Sequence, residues 1–331
     1  MLSRYAESLY WMARYVERAE NAARFVDVAG SLAIDEPERA LERWRLVLAA
    51  LGELERFDAM HPVTTESAVI GYLCLEKTSP NTILSCLLAA RENARGIRPV
   101  ISSEVWEQVN RAFLFAHRAT QEPGVLDVPN AFLATVKRDA HLFWGLHDGT
   151  MTHGEGWHFA RLGGMIERAD QIARVLAAYV GHGDLASEFV AEHEPRLGAL
   201  LKSVSGFEMY RKRFGQIRDA RVTSFLLLDP EFPRSVRHCL NAASSSLAAI
   251  GGRSFGTAST PSSRAMGRLA SAFEYASPSP NMRETFDLLS LLQEGLDAVH
   301  GALAREFFYA EVPLRADEGR GAAPSNPPAE E

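Results

Sequence analysis

The chain has 331 residues, 47% of them apolar and 23% charged, a composition that suggests about two units of an ordinary globular protein. Lys and Arg number 35 against 42 Asp and Glu, so the net charge is −7, which excludes a general nucleic-acid binder because phosphate binding needs a basic surface. No apolar run approaches the ~18 residues that span a bilayer, charges interrupt the first residues before any signal-peptide core forms, and three cysteines without CxxC spacing exclude a disulfide framework. The expectation is a reduced, cytoplasmic protein that meets neither membrane nor nucleic acid.

Taken in chain order, helical periodicity dominates. Leu9, Met12, Val16, Ala19, Ala23 and Val26 recur at three- and four-residue steps and make one apolar stripe. Similar stripes run through Leu41–Phe57, Ile83–Ile97, Val105–Phe115 and Phe132–Leu146, and again through Met165–Val180, Leu197–Tyr210, Val236–Ile250 and Phe286–Phe308. Only Gly71–Leu75 and Ser224–Leu228 admit a strand, and each also fits a helix end. Pro37, Pro80, Pro129 and Pro233 stand at or near helix starts, and Gly181-His182-Gly183 and Gly251-Gly252 read as stops. The fold expected is all-α, with about a dozen helices. Residues 313–331 hold almost no large apolar side chain and are expected to be a disordered tail.

An internal repeat organises these helices. Tyr15–Arg24 lies over Met165–Arg174 at an offset of 150, matching Glu, Arg, Ala, acid, amide, Ala and Arg in order. At an offset of 153, Pro80, Ile83, Cys86, Leu87 and Ile97 fall on Pro233, Val236, Cys239, Leu240 and Ile250. Ser102-Ser103 and Ala112-Phe113 then fall on Ser262-Ser263 and Ala272-Phe273 at 160. Chance overlap of amphipathic helices matches apolar positions but does not readily match a charged string followed by a Pro-to-Cys spacing. Two tandem pseudo-symmetric helical units are expected, 1–150 and 151–312.

The repeated string carries the candidate site. At 100° per residue Tyr10, Arg14, Glu17, Glu20, Asn21 and Arg24 share one helix face, and the second unit repeats it as Glu167, Asp170, Gln171 and Arg174. Three readings compete: a solvated face of weak ion pairs, a buried Arg–carboxylate lattice between the units, or a site with Glu17, Glu20, Glu167 and Asp170 as acid/base candidates. Arg91 and Arg95, in an Arg-rich helix end, and Tyr210, Arg211 and Arg234, near a helix start, are candidate anion contacts. Glu155-Gly156-Trp157-His158 has the Glu-x-x-His spacing of di-iron bundles, but those need two such motifs and two further glutamates, so no metal is expected. There is no P-loop, no GxSxG elbow and no Rossmann unit, and Gly251–Gly256 is a weak phosphate loop; no cofactor is expected.

The string Leu2–Arg24 (LSRYAESLYWMARYVERAENAAR) resembles the opening signature of the bacterial Alpha-E family, departing at Ala13, where that signature has Gly. Arg91–Arg95, Ser102–Glu107, Glu167–Asp170 and Phe225–Ser235 resemble further blocks of the same family, so the resemblance covers about residues 1–310. It implies an all-helical protein that works in the setting of a circularly permuted ATP-grasp amide ligase, transglutaminase-like peptidases and a proteasome-like hydrolase. The role implied is synthesis, modification or turnover of a peptide or peptide-like amide, with this chain as non-catalytic or co-catalytic partner of the ligase. The alternatives are a stand-alone enzyme using paired carboxylates and Arg on a carboxylate substrate, and a di-metal helical bundle.

Overall fold

The computed structural model describes residues 1–35, 37–181, 193–251, 260–279 and 281–309; the expected tail, His182-Gly183 of the expected stop after Gly181, and the Gly252–Gly256 part of the glycine loop lie outside them. Among the described residues there are fourteen α-helices and no strand. Gly71–Leu75 and Ser224–Leu228 are the last turns of helices α4 (Glu66–Leu75) and α11 (Asp219–Leu228). No helix among the described residues is long and apolar enough to cross a membrane.

Two long helices form the centre, α1 (Ser3–Asp35) and α8 (Glu155–Gly181). They run side by side in the same direction: Met1 meets Glu155, Arg18 meets Glu167, and Phe25 and Val175 line one cavity. Small residues permit the close approach. A Cβ on Gly163 would fall 2.2 Å from the Tyr10 carbonyl oxygen, so α8 passes over α1 at a point only glycine allows.

Around this pair, α5 (Ile83–Gly96) and α7 (Asn130–Thr150) pack on α1, with α6 (Ser103–Ala119) closing the group. Helices α12 (Val236–Ile250) and α14 (Met282–Leu303) pack on α8, closed by α13 (Pro261–Glu274). The shorter helices cross over: α2 (Ala40–Ala50) packs on α8 as well as α1, and α9 (His193–Ser203) packs on α1. Most of α1 is therefore enclosed, and Leu9, Met12, Val16, Ala19, Ala23 and Val26 are all buried.

Caps explain the boundaries. Thr82 accepts the Ser85 N–H and starts α5; Ser235 accepts the His238 N–H and starts α12. In both places a proline stands two residues earlier and its carbonyl receives a cysteine thiol, Cys86 to Pro80 at 3.5 Å and Cys239 to Pro233 at 3.6 Å. Two stripes that read as continuous are broken. Leu41–Phe57 divides into α2 and α3 (Leu54–Met60) at Gly52, with φ +71°, and Leu197–Tyr210 divides into α9 and α10 (Phe207–Phe214) at Ser205, with φ 55°. Periodicity persists across each break because the turn keeps both helices facing the same core.

Candidate functional site: a crossed Glu–Arg lattice

A polar stripe on an enclosed helix must find partners inside the protein, since an unpaired buried charge costs several kcal/mol. The stripe of α1 does so across the α1–α8 contact. Arg18 forks onto Glu167, Nε to Oε1 at 2.6 Å and Nη2 to Oε2 at 3.0 Å. Arg168 forks onto Glu17, Nε to Oε1 at 2.7 Å and Nη2 to Oε2 at 2.8 Å. Each Glu-Arg dipeptide thus supplies the carboxylate for the other's guanidinium. Glu17 and Glu167 are both 0% exposed.

The surroundings of the two carboxylates differ. Glu167 also accepts from Arg14 Nε at 2.7 Å and Gln171 Nε2 at 3.2 Å. Glu17 accepts instead from Trp144 Nε1 at 3.1 Å and Arg234 Nη1 at 3.3 Å. Trp144 reaches it across Gly164, where a Cβ would lie 2.3 Å from the indole ring. Burial alone would raise the Glu167 carboxyl, but the charges of Arg14 and Arg18 outweigh it and hold the group at about 2.

Further along α1, buried Glu20 lies between Arg24 and Arg234, the latter at 2.5 Å, while Arg234 also gives a hydrogen bond to Asn21 Oδ1 at 3.0 Å. Burial opposes ionisation of Glu20, yet Arg234, His141 and Arg24 hold it well below the usual carboxylate range. Exposed His141 touches it through Nε2 at 3.3 Å. On α8, Asp170 behaves oppositely: burial pushes its carboxyl up, and its ion pair, at 2.8 Å, is with Arg174, which is exposed. Tyr10 is wholly buried, with its hydroxyl at 3.0 Å from Arg14 and 3.2 Å from His300; burial raises its pKa.

Of the sequence candidates, Tyr10, Arg14, Glu17, Glu20, Asn21, Arg24, Glu167, Asp170, Arg174 and Arg234 therefore cluster along the α1–α8 contact. Arg91 and Arg95 do not join them. Arg91 hydrogen-bonds Asn110 and Glu92 and stacks on Phe113, and Arg95 pairs with Glu92. Tyr210 is a core residue whose hydroxyl is given to the Gln216 carbonyl, and Arg211 stacks on Phe207. Glu155 pairs with the N-terminal ammonium at 2.9 Å, and no group of three or more potential metal ligands occurs among the described residues.

Sequence reasoning missed the central partners. Arg18 and Arg168 fall off the helical-wheel face chosen for the stripe, though the repeated Glu-Arg dipeptide was the signal that could have found them. Trp144, Asn81 and Glu53 had no local signal. Asn81 links Arg18, at 2.9 Å, to Glu53, at 2.7 Å, and buried Glu53 also accepts from Tyr72 and Ser79, both at 2.6 Å.

A family model described as "a predicted alpha-helical domain with a conserved ER motif" matches residues 1–308. The chain belongs to the Alpha-E family. Two occurrences of the dipeptide, Glu17-Arg18 and Glu167-Arg168, form the crossed pair of this Alpha-E protein. Uncharacterized proteins of Mycobacterium bovis and Mycobacterium tuberculosis are 23% identical to it over 252 residues, covering 70% of this chain and 28% of theirs. The chain thus spans under a third of the length of the curated relatives it matches. No solved structure matches it.

Proposed function

We propose that this Alpha-E protein is a non-catalytic or co-catalytic partner of a circularly permuted ATP-grasp amide ligase, acting in the synthesis, modification or turnover of a peptide or peptide-like amide in the cytoplasm. The observation that carries this reading is that Glu17 and Glu167 are each held in a guanidinium fork and wholly buried. Glu167, kept ionised by Arg14 and Arg18, is a poor proton carrier near neutral pH, and the wholly buried, doubly hydrogen-bonded Glu17 offers no access to a substrate, which leaves a scaffold role for the lattice. The mycobacterial relatives add support, since there the matched region is a minor part of a longer chain, as expected of a module that works beside another domain. The similarity of the N-terminal string to the Alpha-E signature supplies the ligase and the transglutaminase-like peptidase as the expected company.

The same reading includes a duplication, with units 1–150 and 151–312. It is supported by the crossed Glu-Arg forks, by the matching Pro–cap–Cys arrangements at Pro80 and Pro233, and by positive φ at both Gly52 and Ser205. One observation favours the stand-alone enzyme instead. His141 is exposed and rests on the ionised Glu20 carboxylate, an arrangement that fixes an imidazole tautomer for acid/base work.

The deciding experiment co-expresses this chain with the neighbouring ATP-grasp protein and follows co-elution together with ATP-dependent amide formation. The partner reading expects a stable complex, a ligase that is weaker alone, and no loss of activity on His141→Ala. A ligase fully active without this chain and no complex would overturn it. Amide turnover by this chain alone that vanishes in His141→Ala would establish the enzyme.

A further inference from the structure

The chain is acidic as a whole, yet one surface concentrates positive charge. Lys202, at the end of α9, and Arg211, on α10, both stand over the Phe207 ring, 5.4 and 5.7 Å from its centre. Lys212 follows on α10, and Arg218 and Arg221 flank the start of α11, where the Arg218 N–H meets the Tyr210 hydroxyl at 3.3 Å. All five cations are exposed, and none pairs with a carboxylate among the described residues. Arg213 is different, because it pairs with Asp229.

Folding does not require these charges. The last turns of α9 and α10 do favour cations such as Lys202, Arg211 and Lys212 through the helix dipole, but Arg218 and Arg221 stand at the start of α11, the end where the dipole disfavours them. The helix α3 performs the same task in the first half without them. Like α10 it follows a positive-φ residue, and it buries Phe57 as α10 buries Tyr210. In the 153-residue register its Asp58, Ala59 and Met60 stand where α10 has Arg211, Lys212 and Arg213. Five cations without an ion-pair partner among the described residues repel one another, offset only in part by exposed Glu208 and Asp219, so the second half keeps a cost that the first avoids.

We propose that this face of α9–α11 is a docking surface for an acidic segment of another polypeptide. Charge complementarity selects an anionic partner, and two features select a polypeptide. The Phe207 ring is already covered by its own cations, which leaves no free aromatic platform for stacking bases. Met209 is the one large apolar side chain exposed on α10, too little for insertion into a bilayer. The inference stands apart from the ligase, since it fixes the chemistry of the partner segment and not the partner's activity.

The test uses the full chain and fluorescein-labelled deca-glutamate, read by anisotropy at low salt. Saturable binding is expected, weakened about tenfold or more in the double variant Arg211→Glu/Lys212→Glu and lost progressively as salt screens the contact. A second variant, Lys202→Gln/Arg221→Gln, guards against misfolding of the first, and both should melt as the parent does. Weaker binding of a ten-nucleotide single strand and of phosphatidylserine vesicles is expected alongside. Absence of saturable peptide binding, binding indifferent to both variants, or tighter capture of the oligonucleotide or the vesicles would overturn the proposal.

Discussion

At the scale of single residues, the lattice turns burial into a test of which charges matter. Glu17 and Glu167, both fully buried, each compensate two arginines, so neutralising one strands its partners. Glu17→Gln and Glu167→Gln should each lower stability by about 3–5 kcal/mol, measured by denaturant unfolding at pH 7. A loss under 1 kcal/mol would show the forks to be no better than solvated ion pairs. The pH dependence follows with a definite sign. Glu167 lies at about 2 when folded and near the ordinary ~4.3 when unfolded, so its contribution is present above the unfolded value and lost as pH falls from about 4.3 to about 2. The linkage amounts to about 3 kcal/mol, and Glu167→Gln should flatten the acid limb of a stability–pH curve in that window. Asp170, only three residues further along α8, has the opposite shift. An acid raised by burial is worth less folded than unfolded above its ordinary value. Asp170→Asn should therefore leave stability at pH 7 unchanged or slightly higher, and a melt as low as that of Glu167→Gln would refute this ordering.

At the scale of elements, the approach of α8 to α1 depends on two adjacent glycines with different neighbours. Gly163 faces a carbonyl of the α1 backbone, which cannot rotate away, so Gly163→Ala must push the two helices apart. A loss of several kcal/mol, at the high end for one added methyl, is expected. Gly164 faces the Trp144 ring, which can move. Gly164→Ala should displace the indole from Glu17 and change tryptophan fluorescence while unfolding the protein less than Gly163→Ala does. The reverse ranking in thermal melts would mean that the contact is looser than the side-by-side course of α1 and α8 requires. The two breaks between α2 and α3 and between α9 and α10 belong here too. The periodicity of Leu41–Phe57 and Leu197–Tyr210 gave no sign of them, because a left-handed turn residue costs one position without changing which face is apolar.

At the scale of the molecule, the helices that pack around α1 and those that pack around α8 are joined by exchanged partners. Carboxylates of α1 and α8 are neutralised by each other's arginines, α2 packs on α8, and α9 packs on α1. Residues 1–150 expressed alone would keep Glu17 but lose Arg168 and Arg234, and residues 151–331 would keep Glu167 but lose Arg14 and Arg18. Neither fragment should give a cooperative melt, whereas mixing them should restore one. Independent cooperative folding of 1–150 would show that the crossed forks are dispensable and that the units are domains in their own right.

The helical class, the helix starts near Pro37, Pro80, Pro129 and Pro233, and the membership of α1 and α8 residues in one repeated string were legible in the sequence, because apolar period and proline position are local properties of the chain. The sequence also brought most of the lattice candidates together, since residues three and four apart on a helix share a face in any fold. Whether that face met solvent or protein was beyond its reach. The tertiary structure decided it by enclosing α1 among α5, α7 and α8, which forces the stripe to pair internally. It also chose the partners. Arg18, Arg168, Trp144 and Arg234 arrive from four separate segments, and the Glu53–Asn81 link exists only because α3 and the turn before α5 meet beside Arg18. Long-range pairing of charges depends on where helices cross, and that is fixed by packing at contacts such as Gly163 on Tyr10, an approach too close for any Cβ that no pattern within either helix encodes.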